Sequence, residues 1–487
     1  MKWYSGLLMF IFIIGSTGYT NPEAEKLLQS RLSTPLLQAD GTMTGEGVCW
    51  HAAYQMDRFV EQYRSSNDPA FLEVAVQYYD ALIAKLHTSP DGYRGWVGPF
   101  IYDEKYICDV HVGDAILINP MLDFAETVLK SDDTQINEKF SAKAFEYVNL
   151  AKKHLLEKWD QRGTWQEYGP YGYYVAWDQY MTPENLKEWQ KLPVDRSTLT
   201  LPINKNTEMA IAALRIYRIT GEEPYREKAE RIFNYMKSRF CLYQDHYIWN
   251  YWEPCGEWDI DTKDPNKLRH WVNVHPYRNY QAGEVADVVE AYHSGVTFSE
   301  EDIQRIINTN LKVMWNGDRQ NPEWQNSNYT VTKDALGKIP EVQSPPGEPK
   351  HAGILWSSLR DFDATIRELA HLRMDEPPSF KRKYSDLPVT ELQIPFHSNQ
   401  YLNMVTAFPS SENNRQMILI SQSRLAGELD IDLYTKDGSR KVQDITQEQV
   451  NPWPFIYRWD INDLPAGEYR IRWTMKGEFR DYPIWVQ

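Results

Sequence analysis

Apolar residues recur every three to four positions along most of the chain up to about residue 375, and every second position after about 386. The first period predicts amphipathic helices and the second predicts half-buried strands. Helices are expected in pairs. "GVCWHAAYQMDRFVEQYR" is followed within a few residues by "DPAFLEVAVQYYDALIAKLH", and "HVGDAILINPMLDFAETVLK" by "NEKFSAKAFEYVNLAKKHLLEKW". "NTEMAIAALRIYRIT" turns into "EPYREKAERIFNYMKSRF", and "QAGEVADVVEAYHSG" into "SEEDIQRIINTNLKVMW". One further helix is expected over "GILWSSLRDFDATIRELAHL". Start signals open second members of these pairs: Asp68 with Pro69, Pro224, and Ser299 with acids behind it. The alternating runs "ELQIPF", "RQMILISQ", "GELDIDLYT", "FIYRWDI" and "GEYRIRWTM" predict a small antiparallel β domain, joined through the Pro-rich and charged "RMDEPPSFKRKYSDLP".

The connections between helix pairs, 88–110, 160–205, 240–280 and 316–352, are long, whereas the turns within pairs are tight. If the pairs close into a ring, tight turns gather at one end and long loops at the other. Long loops in a compact domain are usually functional. A cleft is therefore expected at the long-loop end. The fold expected is mainly α, a ring of helical hairpins over 21–383, followed by an antiparallel β-sandwich over 384–487.

The first residues change the picture of where the protein works. Lys2 precedes the apolar run Leu7 to Ile14, and small and polar residues follow. Residues 1–20 read as an export signal, too short for a membrane span, so a soluble exported protein without a membrane anchor is expected. The formal net charge of −16 argues against nucleic acid. Of the four cysteines, Cys241 and Cys255 could form a disulfide in an oxidising compartment; buried free thiols are the alternative.

Repeated αα-hairpins, an export signal and a terminal β domain resemble the α/α-toroid carbohydrate-active enzymes, and among these the alginate-lyase-like polysaccharide lyases. The resemblance lies in architecture; no motif names one family.

Candidate chemistry clusters where first helices begin. His51 lies inside the first, and His111 opens the second beside Asp109 and Asp114. Asn204, Asn206 and Glu208 open the third, His275, Arg278 and Tyr280 the fourth, and His351 the last. Polar residues also cap helix N-termini, which alone explains some of them. Aromatic residues crowd the long loops, with Trp96 in "YRGWVGPFIYDEKY", Tyr173, Tyr174 and Trp177 in "WQEYGPYGYYVAWDQY", and Trp252 in "YQDHYIWNYWEPCGEW". The chain holds 18 Trp and 31 Tyr, enough both to fill a core and to stack on sugar faces. Arg319, in a polar loop, could reach an anionic substrate.

The resemblance implies β-elimination on a uronic-acid glycan, an acidic substrate. Asn206 would then polarise the substrate carboxylate, assisted by Glu208 or Arg278, with His275 and Tyr280 as base and acid in either order and Tyr277 as a substitute for Tyr280. His111, His351, Tyr173, Tyr174, Trp177, Trp96, Trp252 and Arg319 would line the substrate. The same elimination could expel water from a terminal uronic acid. A glycoside hydrolase needs two opposed carboxylates, and Glu104, Asp109, Glu167, Asp178, Glu253, Glu257 and Asp259 supply candidates in the loops. A non-catalytic glycan binder needs only the aromatics. A metal at Asp109, His111 and Asp114 lacks a strong ligand spacing, and no cofactor motif is present.

Overall fold

The computed structural model describes residues 21–33, 45–100, 103–176, 199–243, 245–269, 278–325, 353–372, 401–413, 415–423, 425–452 and 454–487. The helices are α1 (Pro22–Leu32), α2 (Gly45–Ser66), α3 (Ala70–Ile83), α4 (His111–Leu129), α5 (Thr134–Ala151), α6 (Ile203–Thr220), α7 (Glu223–Ser238), α8 (Arg278–His293), α9 (Glu300–Asn308) and α10 (Ala364–Leu372). A π-helical stretch, Lys152–Glu157, carries α5 on into the short turn Lys158–Gln161. The expected pairs are α2–α3, α4–α5, α6–α7 and α8–α9. Ser299 caps α9 with its hydroxyl, and Asp302 answers from the third position. Gly221, left-handed at φ 74°, ends α6.

The first helices of the pairs pack side by side in the order α2, α4, α6, α8. Laid flat, such a row would hold its outer members some 25–30 Å apart, at ~8–10 Å per neighbour. Yet Trp50 of α2 and Tyr280 of α8 bring their ring centroids within 6.2 Å. The row is therefore curled, and the inner sides of its helices face a common interior. Lys205 of α6 also reaches past α4 to Glu46 of α2, 3.6 Å away. The N-terminal ends of the four helices meet at one end, and their C-terminal ends at the other.

Each long connection described carries its own hairpin. β1 (His87–Thr88) pairs β2 (Arg94–Gly95), and β3 (Gly98–Phe100) pairs β4 (Asp103–Cys108) before α4. β5 (Trp165–Tyr168) pairs β6 (Tyr171–Tyr174) before α6, and β7 (Cys241–Tyr243) pairs β8 (His246–Ile248) before α8. The late helix expected over 353–372 is broken. Only a 3-10 turn, Ser357–Leu359, and α10 form, because Asp363 caps a fresh start by accepting from the Ile366 N–H at 2.9 Å.

After residue 400 two antiparallel sheets form. β9 (Leu402–Pro409), β10 (Gln416–Ser423) and β13 (Pro454–Asp460) make one, in the order β13–β10–β9. β11 (Gly427–Thr435), β12 (Lys441–Val450), β14 (Gly467–Met475) and β15 (Glu478–Val486) make the other, in the order β12–β11–β14–β15. The first is apolar on both faces. Val405, Ala407, Met417 and Leu419 share a core with Ile431, Ile471 and Ile484 of the second sheet. Met404, Phe408, Ile418 and Ile420 pack on Ile260 from the connection before α8. This sheet is thus buried between the other sheet and the helical part. At the same junction Gly169, at φ 56°, lies against Trp485, whose ring a Cβ there would meet at 2.2 Å. The expected strand "ELQIPF" and the linker lie outside the described residues, as does the export signal. Among the described residues no helix is long and apolar enough to cross a membrane. All four cysteines are free and buried, so Cys241 and Cys255 are not bridged.

One buried ion cluster ties the start of α4 to the end of α5. Lys158 is fully buried and donates to Asp109 at 3.1 Å, to Asp114 Oδ2 at 2.5 Å and to the Arg94 carbonyl at 3.2 Å. Arg162 donates to Asp109 at 2.7 Å and to Asp91 at 2.9 Å. Gly95 makes room for this cluster: a Cβ there would stand 2.6 Å from Asp109 Oδ1 and 2.7 Å from Lys158 Nζ. Breaking a buried ion pair by removing one partner costs about 3–5 kcal/mol, since the other charge stays buried. Lys158→Met is expected to lose about that much stability in urea unfolding, and Gly95→Ala about 1–3 kcal/mol through overcrowding. Unchanged unfolding midpoints in both variants would show that the cluster contributes nothing.

Candidate functional site

Polar side chains line the inner sides of α2, α4, α6 and α8 at successive depths. At the floor, towards the C-terminal ends, they pair off. Arg64 of α2 donates to Asp123 of α4 at 2.7 and 2.9 Å. Arg215 of α6 holds Glu290 of α8 through two bonds of 2.8 Å and the Asn119 carbonyl at 2.6 Å. Arg218 joins Glu126 of α4 and Glu290 of α8 at 2.6 and 2.8 Å. These pairs link all four helices.

Nearer the N-terminal ends the balance changes. The Asn119 amide of α4 donates to Glu208 Oε2 of α6 at 2.6 Å, and Glu208 remains half-buried. Asp287 of α8, also half-buried, is held well above the usual carboxylate range, first by desolvation and then by the neighbouring Glu208 charge. A hydrogen bond with Thr207 and the Arg215 charge only partly oppose this. One turn towards the mouth, fully buried Glu284 accepts from the Trp249 indole at 2.7 Å. Burial pushes its carboxyl up to about 8, although that bond and the Asn204 backbone N–H favour the charged form. The interior therefore holds two carboxyls raised above the usual carboxylate range, Glu284 to about 8, beside a third bound by an amide.

The mouth above them is aromatic. Tyr280, Glu284 and Asp287 are spaced i, i+4, i+7 and so share one face of α8. Tyr280 stacks on Tyr251 with centroids 5.1 Å apart and an interplanar angle of 24°. Trp50 closes the far side, its indole donating to Glu46 at 3.2 Å. Trp249 and Tyr251 both come from the irregular segment directly after β8, so the connection before α8 builds this wall.

The structure separates the residues expected at the site into three groups. Tyr280 and Glu208 line the interior. His275, His351 and Trp177 lie outside the described residues, and of Arg278 only its place at the start of α8 is described. The others are committed elsewhere, which corrects the expectation that helix starts gather as one site. The Asn206 amide is fully buried and locked: its oxygen accepts from the Tyr174 N–H at 2.7 Å and its nitrogen donates to the Leu201 carbonyl at 2.8 Å. It clamps β6 to α6 and has no amide group left to polarise a substrate. His111 lies flat on Trp159, centroids 3.7 Å apart, with Nε2 on the Thr164 hydroxyl at 2.9 Å. Burial and the Lys158 charge hold that imidazole well below its ordinary pKa. Where a metal beside Asp109, His111 and Asp114 was considered, the Lys158 ammonium sits. Among the described residues no group of three or more His, Cys, Asp or Glu could hold a metal ion.

The aromatic expectations fail for a common reason, which is burial. Trp96 donates to the Leu82 carbonyl, Tyr173 to the Cys255 carbonyl and Tyr174 to Asp160, each at 2.9 Å. All three are buried, as is Trp252, so none offers a face to a substrate. Arg319 is exposed but paired with Glu368 of α10. His51 is exposed on α2.

Sequence reasoning missed Glu284, Asp287, Tyr251 and Trp249. The signal was the i, i+4, i+7 spacing of Tyr280, Glu284 and Asp287 in an otherwise small and apolar helix face containing Gly283 and Ala286.

No protein-family model matches the chain, and no curated protein matches it in sequence. Among solved structures, it is similar to an inactive variant of an α-1,6-mannanase of Salegentibacter sp. in complex with α-1,6-mannotriose. The identity is 15%, over 57% of this chain and 71% of that one, with a TM-score of 0.27. It is similar to a cellobiose 2-epimerase from Spirochaeta thermophila at 14% identity, over 72% and 99% of the two chains, with a TM-score of 0.31. A protein described as a glycoside hydrolase matches at 10% identity, over 96% and 69%, with a TM-score of 0.33. Scores of this size decide neither fold nor chemistry, which rest on the residues themselves.

The Glu284 carboxyl gives a stability signature. Its pKa is about 8 in the folded chain and 4.5 in its ordinary setting. Between these values the folded chain keeps a proton that the unfolded chain has released. This group's contribution to stability therefore falls as pH rises through that window, by at most about 1.4 kcal/mol per pH unit. Glu284→Gln fixes the neutral form. Its stability relative to the natural protein is expected to improve steadily from about pH 5 to about pH 8, read from urea midpoints. A difference that does not change with pH would place the charged carboxylate there.

Proposed function

We propose that the chain is a carbohydrate-active enzyme that hydrolyses glycosidic bonds inside an α/α toroid formed by 21–383, with the residues from 384 onward as a β-sandwich buttress. Asp287 is the acid that protonates the leaving oxygen, and Glu208 is the base or nucleophile. The observation that carries this is the Glu208–Asp287 pair: two half-buried carboxyl groups on the neighbouring helices α6 and α8, Asp287 pushed well above the usual carboxylate range by burial and by the Glu208 charge, and Glu208 bound to the Asn119 amide. Two carboxyl groups whose environments push them to opposite protonation states are what acid–base glycoside cleavage needs. Tyr280 and Trp50, both partly exposed, supply ring faces above them on which a sugar can stack, with Tyr251 buried behind Tyr280.

A neutral glycan suits this interior better than a uronate. Lys205 is beside Glu46, Arg215 is bound to Glu290, and Arg218 to Glu126 and Glu290. Each described cation on the axis thus already faces a carboxylate, while the Glu208 carboxylate would repel a substrate carboxylate. Elimination also loses its carboxylate-polarising amide, since Asn206 is spent on the backbone. Residues 1–20 direct its export.

General acid catalysis typically contributes 10²–10⁴-fold. Asp287→Asn and Glu208→Gln are each expected to cut kcat by about 10²–10⁴-fold on a responsive neutral oligosaccharide, with the thermal unfolding transition retained. The assay is release of reducing ends across a panel of mannans, glucans and xylans, with absorbance near 235 nm followed in parallel on alginate and pectin. Unsaturated products at 235 nm, or full hydrolytic activity in both variants, would remove the hydrolase reading.

A further inference from the structure

A second cluster lies away from the axis, where the end of α7 meets the C-terminal sheets. Arg239 follows α7, and its side chain is 2% exposed. Arg480 comes from β15 and is 9% exposed. Arg480 donates through Nη2 to the carbonyl of Phe240, the residue after Arg239, at 3.5 Å. One carboxylate, Glu253, stands against both guanidinium groups. It does not satisfy them. Its Oε2 is 4.0 Å from Arg239 Nε, beyond hydrogen-bond reach, and its Oε1 is bound by the Asn250 amide at 2.9 Å.

Arg239 spends Nη2 on the Cys255 sulfur at 3.5 Å and lies over the rings of Tyr235 and Tyr482, 5.0 and 5.6 Å away. Its Nε and Nη1, and Nη1 of Arg480, have no hydrogen-bond partner among the described residues. Buried N–H groups almost always find an acceptor, and a buried cation requires a counter-charge. Here two buried guanidinium groups share one carboxylate, and three N–H-bearing atoms lack acceptors. Water would serve the donors without balancing the charge. A monatomic anion does both, since it accepts from several N–H groups without demanding a fixed geometry.

We propose that a chloride ion is bound at this junction by Arg239 and Arg480. The site has a route to the interior of the toroid. Glu253 belongs to the segment 249–255, which also carries Trp249 onto Glu284 and Tyr251 onto Tyr280. Filling the junction fixes the segment that forms the aromatic wall of the candidate active site. This link to activity rests on the hydrolase reading; the binding of the ion does not.

Crystals of the full chain soaked in bromide are expected to show an anomalous peak within hydrogen-bond reach of Arg239 Nε and Nη1 and of Arg480 Nη1. No peak, with ordinary water in that place, overturns the site. In solution, Tm is expected to rise saturably by several degrees when chloride replaces gluconate at constant ionic strength, and the rise is expected to vanish in Arg480→Gln. Equal Tm in the two salts overturns the proposal. Should Arg480→Gln not fold, the bromide soak and salt comparison on the natural chain still decide. Chloride is further expected to raise hydrolytic activity at least twofold. A chloride-dependent Tm with chloride-independent activity would keep the ion and remove its link to the active site. Absence of any glycan activity would count against the hydrolase reading alone.

Discussion

A lysine ammonium without solvent, set between two aspartates, fixes the frame on which the interior is built. Lys158 joins the end of the α5 pair to the residues just before and within the first turn of α4, and α4 is the most enclosed helix of the row, packed on both α2 and α6. Burying three such charges is costly, and the attraction between them repays it only when the geometry is tight and the remaining lone pairs are met. Arg162, the Trp96 N–H and the Arg94 carbonyl meet them. The outcome is one allowed position for the start of α4, which sets the depth at which Asn119 meets Glu208 two turns further on.

Charge is then distributed unevenly along the interior. At the floor every arginine has its carboxylate, and these pairs bind α2, α4, α6 and α8 into a closed base. Halfway up, carboxyl groups outnumber cations, and burial raises Asp287 and Glu284 above the usual carboxylate range. Burial without a counter-charge is unfavourable for folding, so such groups persist where they have something to do. The raised Asp287 and Glu284 carboxyls stand at that level, and the fully paired Glu290 stands below it. Neighbouring turns of α8 thus differ: Glu290 is paired with two arginines, whereas burial raises Asp287 and Glu284.

Much of the fold was legible from periodicity, because each helix buries one stripe and each strand one face. The four hairpins of helices stand where the three-to-four spacing put them, and β10, β11, β13 and β14 where alternation did. β12 was missed because "KVQDITQEQV" buries almost nothing on an edge strand, β9 because both its faces are buried and nothing alternates, and β15 because its inward positions include Arg480 and its outward ones Phe479 and Trp485. Chemistry was less legible. Polar residues at helix starts serve two purposes, satisfying free N–H groups or facing a ligand, and sequence does not separate them. His111 and Asn206 turned out to serve the fold: one stacks under Trp159, the other ties β6 to α6. Glu284 and Asp287 lie in "QAGEVADVVEAYHSG", whose period marks a helix but not the direction its polar side faces. Only the curl of the row, seen in the Trp50–Tyr280 contact, turns that side inward.

That curl also constrains what can reach the carboxyl pair. Tyr280 and Asp287 are seven residues apart, about 10 Å along α8 at 1.5 Å per residue. This exceeds the width of one pyranose ring. On the hydrolase reading, a sugar stacked on Tyr280 and Tyr251 cannot itself present its linkage to Asp287; a further sugar must extend below it. Below that level the neighbouring helices are tied by Arg64–Asp123, Arg215–Glu290 and Arg218–Glu126. On the same reading, the cleavage point is counted from the stacked sugar by the distance between Tyr280 and Asp287.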